Sequence, residues 1–97
     1  MNAKNRNDEG CGDGLQPFPL TEQEWREVRD RLGFTDQQAM VAALVLRAAC
    51  DKKIAYELGL RLPTVRTHLR RVYEKAGVQD RAELIVRVFI IAREKER

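Results

Sequence analysis

Residues 51–76 hold two amphipathic stretches separated only by Gly59, Leu60, Arg61 and Leu62, and that spacing leaves few ways to fold. The first stretch, 51–58, puts Ile54, Ala55 and Leu58 on one face, with Asp51 placed as its N-cap. Gly59 tolerates the left-handed backbone of a sharp turn, and Leu60 continues the apolar pattern through it. The second stretch begins near Pro63, whose missing N–H is harmless in a first turn, and stops at Gly77. Within it Val65, Leu69, Val72 and Ala76 recur at helical spacing and cover one side at about 100° per residue. A small residue at Ala55 lets the second helix cross close above the first. The pair is a helix-turn-helix, with Ile54, Ala55, Leu58, Gly59, Val65, Leu69, Val72 and Gly77 as its scaffold.

The flanking sequence predicts three more helices. Thr21 with Glu24, Thr35 with Gln38, and Asp80 with Glu83 have the spacing of capping boxes, and Leu20 and Trp25 that of a hydrophobic staple. A helix over 21–32 buries Trp25, Val28 and Leu32 and ends at Gly33. A helix over 35–48 is apolar on much of its surface and belongs at the centre of a bundle. A last helix from 80 to 92 carries Leu84, Ile85, Val88, Phe89 and Ile91. Residues 1–19, rich in Asn, Asp, Gly and Pro, read as a flexible arm. The predicted fold class is all-α: a compact helical bundle over 20–97 containing the helix-turn-helix, with one extra N-terminal helix at 20–33.

Charge distribution says more than its total. Residues 61–75 carry Arg61, Arg66, Arg70, Arg71 and Lys75 against Glu74, a local +4 in a chain of net +3, so the remainder sums to −1. A basic helix on a near-neutral body suits a polyanion. The side opposite the apolar stripe is expected to present Arg66, Thr67, Arg70 and Glu74. In the DNA major groove, Arg66 and Arg70 can each offer a bidentate fork to guanine, and Thr67 can touch a thymine methyl or a phosphate. Lys52, Lys53, Arg61, Arg71 and Lys75 are placed for phosphates, adding salt-dependent affinity, and Thr64, near the helix start, is placed to cap it or to reach a phosphate. Packing accounts for His68, Trp25, Tyr56 and Tyr73 at least as readily as a site does.

Other chemistries lack sequence support. There is no glycine-rich phosphate loop, no convergent acid pair and no triad, so no catalytic residue, metal or cofactor is expected. Cys11 and Cys50 show no metal-ligand spacing and are expected as free thiols in a reducing compartment. The polar N-terminus has no signal-peptide core, and the apolar segment 84–92 is too short to cross a bilayer. A cytoplasmic protein without membrane contact is expected.

With these residues in place, the chain resembles the LuxR/GerE-type (NarL/FixJ-type) helix-turn-helix domain. The resemblance is carried by Asp51-Lys-Lys-Ile-Ala-Tyr-Glu-Leu-Gly-Leu60, Thr64-Val-Arg-Thr-His-Leu-Arg-Arg-Val-Tyr-Glu-Lys-Ala-Gly-Val78 and Arg81-Ala-Glu-Leu84. The family signatures are similar: N-K-E-I-A-x-x-L, T-V-K-x-H-x-x-x-I-x-x-K-L-G-V and R-x-E. The resemblance covers about residues 34–91 and implies a four-helix domain, placed here at 34–92, whose third helix reads DNA through the positions of Arg66, Thr67 and Arg70. It also implies a homodimer on inverted-repeat DNA, with Leu84, Val88 and Ile91 as dimer candidates, and activators in the family touch RNA polymerase or another regulator.

Several positions depart from that pattern. Gln37, Gln38, Ala39 and Met40 replace the usual charged residues of the opening helix, Ala48 stands where a glycine is expected, and Arg61 and Leu62 replace a serine cap and an acid. The helix at 21–32, too small for a receiver or ligand sensor, either completes the core or forms an interface through Trp25 and Val28. A free-standing transcriptional regulator is therefore expected. Two other functions use the same motif: a σ region 4-like or RNA-polymerase-binding protein, and a protein-interaction module that keeps the helix-turn-helix as scaffold.

Overall fold

Hydrogen bonds at the helix ends set where the chain turns. The computed structural model describes residues 14–94, and among them the elements are α1 (Glu22–Leu32), α2 (Asp36–Leu46), α3 (Asp51–Leu58), α4 (Leu62–Ala76) and α5 (Arg81–Glu94), with no strand. Both threonine capping boxes form. Thr21 Oγ1 accepts from the Glu24 N–H at 3.0 Å and Thr35 Oγ1 from the Gln38 N–H at 3.1 Å. In return Glu24 and Gln38 accept from the backbone N–H groups of Thr21 and Thr35. At α5 the exchange is shifted: Asp80 accepts from the Glu83 N–H, while Glu83 reaches the Gln79 N–H, one residue earlier than expected. Cys50, not Asp51, is the N-cap of α3, and no side chain bonds there.

The turn between α3 and α4 is a Schellman motif. Gly59 is left-handed at φ 67°. Its N–H reaches Tyr56 O at 3.4 Å, and the Leu60 N–H reaches Ala55 O at 2.9 Å. The same two bonds close α2, from Ala48 to Val45 and from Ala49 to Leu44, but there the left-handed residue is an alanine, Ala48, at φ 66°. Alanine bears a steric penalty in that conformation that glycine escapes.

The core gathers around α2, as its largely apolar circumference predicts. Val41, Ala42, Leu44, Val45 and Leu46 are buried there, joined by Val65, Leu69, Val72 and Ala76 from α4 and by Leu84, Val88, Ile91 and Ala92 from α5. Of the two roles open to α1, it takes the first. Val28 is wholly buried, α1 lies along α5, and Arg31 bridges to Glu94 at 2.6 Å. Trp25 is half-buried, edge-on to Phe18 with centroids 5.3 Å apart and tilted against Phe34 at 6.4 Å.

Two expectations need correction. Residues 14–19 do not behave as a free arm: Gln16 exchanges hydrogen bonds with Arg47, through its N–H to Arg47 O and its carbonyl to Arg47 Nε, while Leu15 and Phe18 pack against the core. Residues 1–13, Cys11 included, lie outside the described residues. Cys50 is buried and is not the free thiol expected of it.

Ala48→Gly is therefore expected to stabilise the fold. Relief of the left-handed alanine outweighs the extra freedom glycine gives the unfolded chain, leaving a net gain of about 0.5–1 kcal/mol. Urea unfolding measures it; an unchanged or lowered midpoint would rule out strain at this turn.

Candidate nucleic-acid interface

Burial of one side of α4 decides what the other side offers. Val65 and Val72 are wholly buried, and Leu69 and Ala76 nearly so. Thr67, Arg70, Arg71 and Glu74 are consequently exposed. Among the described residues, Arg61, Arg70 and Arg71 have no ion-pair partner, so their guanidinium donors remain available to a ligand. The Thr67 hydroxyl donates back to Pro63 O at 3.2 Å, which occupies its proton within the helix. No side chain caps the start of α4: Arg61 holds the N-cap position, Pro63 lacks an N–H, and Thr64 is exposed inside the first turn. An uncovered helix N-terminus beside a guanidinium favours anions.

Arg66 lies on the flank of this face, towards α3. Its Nε stands 3.6 Å from Asp51 Oδ2, with the side chain 63% exposed. Asp51 is itself fixed by Arg81, whose Nη2 donates to Oδ1 at 3.0 Å and whose Nη1 donates to Ala49 O at 2.6 Å. Tyr73 is half-buried near this cluster. Burial pushes its phenol above the ordinary value, an effect reinforced by Asp51 and Asp80 and opposed by Arg81. Any stability the neutral phenol contributes is present below the ordinary phenol range and fades as pH rises through the raised value.

Lys52 is exposed. Lys53 pairs with Glu57 at 3.4 Å and sits 5.3 Å above the Tyr56 ring. Tyr56 is 79% exposed and does not pack at the helix edge. Lys75 is not directed to the basic face. Its Nζ donates to Gly33 O at 2.7 Å and ties the end of α4 to the turn after α1.

Four of the expected dimer residues are corrected: Leu84, Val88 and Val28 are wholly buried in the monomer and Ile91 almost so, whereas Trp25 is half-buried in the aromatic cluster. The outward apolar residues of α5 are Val86 and Ile90, 58% and 47% exposed. Shallow grooves lie on either side of them, against Gly77, Val78 and Ala82 and against Ile85 and Phe89. Among the described residues no cluster of His, Cys, Asp and Glu could hold a metal ion, and no helix is long and apolar enough to cross a membrane.

The family model for bacterial regulatory proteins of the luxR family matches residues 33–88, more than half of the chain. The chain belongs to the LuxR family. Among its relatives, a "Monoamine regulon transcriptional regulator" of Klebsiella aerogenes is 34% identical over 61 residues, which is 63% of this chain and 27% of the relative. The "HTH-type transcriptional regulator MalT" of Yersinia pestis is 31% identical over 71 residues, 73% of this chain and 6% of the relative. The chain thus spans about a quarter or less of the length of these relatives. No solved structure matches.

The LuxR-family segment contains α2 to α4 and most of α5, and α1 lies outside it. Within the segment, sequence reasoning missed the linkage from Arg81 to Asp51. It assigned Asp51 a local capping role and gave Arg81 only a place in a signature. The one available signal was charge complementarity, and nothing in the pattern joins positions thirty residues apart.

Arg81→Ala should leave the Ala49 carbonyl and the Asp51 carboxylate without their donor. The expected cost is about 1–3 kcal/mol in urea unfolding, with Arg81→Lys recovering only part, because an ammonium cannot reproduce the fork. A full recovery by lysine would show that charge alone matters at this position.

Proposed function

We propose that this LuxR-family chain is a sequence-specific DNA-binding transcriptional regulator that reads the major groove with α4. One observation carries the reading: the arginines of α4 stand exposed, Arg70 and Arg71 unpaired, on the side opposite a fully buried stripe. The N-terminal half of such a helix lies against base edges while the preceding helix crosses the backbone. Arg66 and Arg70 then address guanines. Thr67, with its hydroxyl proton held by Pro63 O, offers its methyl to thymine. Arg61, Thr64, Arg71, Lys52 and Lys53 flank that face and serve phosphates.

A homodimer on an inverted repeat completes the proposal. In place of the buried Leu84 and Val88, the exposed Val86 and Ile90 supply the self-complementary patch on α5. Contact with RNA polymerase or another regulator is left to the remaining surface.

Selection from genomic fragments followed by footprinting tests binding, site symmetry and target identity together. On the selected site, Arg70→Ala is expected to remove about 1–3 kcal/mol of discrimination at one base pair, roughly 5–150-fold. Arg71→Ala should instead weaken selected and scrambled duplexes alike and reduce the salt slope by about 0.9. If Arg70→Ala leaves discrimination intact, the reading face is misassigned. Val86→Glu with Ile90→Glu should yield a monomer in sedimentation and protect a single half-site; retained dimers would place the interface elsewhere.

A further inference from the structure

We infer that Asp51 is a positioning residue for base recognition: it braces Arg66 through Nε and leaves the two terminal nitrogens as a preoriented fork. The inference rests on the DNA-reading function proposed above and adds a specificity determinant from outside α4.

Asp51 is free for this task because it does not cap its helix: Cys50 occupies the cap position without a side-chain bond. Its two oxygens are divided between neighbours. Oδ1 accepts from Arg81 at 3.0 Å, and Oδ2 faces Arg66 Nε at 3.6 Å. Arg81 is held in turn by Ala49 O at 2.6 Å, and the Asp51 side chain is only 25% exposed. The carboxylate is therefore a fixed point, against which the 63% exposed Arg66 is set.

The atom it engages decides the consequence. Bidentate recognition of guanine uses two nitrogens of the guanidinium edge, and contact at Nε leaves Nη1 and Nη2 unoccupied. Bracing reduces the rotamer freedom that Arg66 loses on meeting a base. It also keeps the head group from swinging freely to nearby phosphates, so the carboxylate favours the matched base pair over generic contact. The pair is partly exposed, so its effect should be modest, about two- to five-fold.

Asp51→Asn is the appropriate variant. It keeps an oxygen for Arg81, removes the charge, and installs the residue of the family signature at that place. Affinities are measured for the selected site and for its variants at each base pair, with Arg66→Ala identifying the pair that Arg66 reads. The expected result is a two- to five-fold loss of preference at that pair alone, and no further loss when Asp51→Asn is added to Arg66→Ala. In the DNA-free protein, the Arg66 Nε–H signal in NMR should shift in the variant while the unfolding midpoint stays near the parent's. Unchanged preference at the Arg66 pair, equal loss at every position, or the same loss in the Arg66→Ala background overturns the inference alone. A parent protein that selects no sequence overturns the function itself.

Discussion

The anchoring of α4 by a single apolar stripe is the constraint on which the other features depend. With Val65, Leu69, Val72 and Ala76 pressed against the α2 core, the helix cannot rotate without exposing apolar area or burying a guanidinium. Both are costly, the second far more so. The outward direction of Thr67, Arg70 and Arg71 is thus a consequence of packing on the opposite side. The Schellman turn at Gly59 sets where α4 begins relative to α3.

Two long-range ties hold that platform at its ends. Arg81, at the start of α5, clamps the α2–α3 junction through Ala49 O and Asp51. Lys75, near the end of α4, ties to the turn after α1 through Gly33 O. The extra helix α1 therefore does more than cover apolar surface: it supplies Val28 to the core and Arg31 for Glu94, and it leads into the turn whose Gly33 carbonyl receives Lys75. Although α1 lies outside the LuxR-family segment, it is physically continuous with it, and the exposed Val86 and Ile90 remain uncovered by it.

What was legible in the sequence follows the range of the interactions involved. The boxes at Thr21 and Thr35, the stop at Gly59 and the buried stripe of α4 rest on residues three to six apart, and local pattern identifies them. The odd status of Ala48 was legible too, since it stands where a glycine belongs. Periodicity could not tell which apolar residues of the last helix face inward: Leu84 and Val88 fill the core, whereas Val86 and Ile90, also apolar, face out. Nor could it assign Lys75, whose positive charge suits a phosphate as well as a carbonyl forty-two residues away. Arg66 was placed opposite the core, although at about 100° per residue it stands about 90° from the centre of the buried stripe, on the flank where Asp51 lies. Long, charged side chains are where sequence pattern carries least information, because their partners are chosen by the tertiary fold.

The central claim, that α4 reads bases through the major groove, is tested most directly by methylation interference on the selected site. Guanine N7 lies in the major groove, where arginine forks engage it, and adenine N3 lies in the minor groove. The expected result is loss of binding when the guanines assigned to Arg66 and Arg70 carry a methyl at N7, with adenine N3 methylation tolerated. Binding that is indifferent to N7 methylation and blocked by methylation at N3 would contradict it.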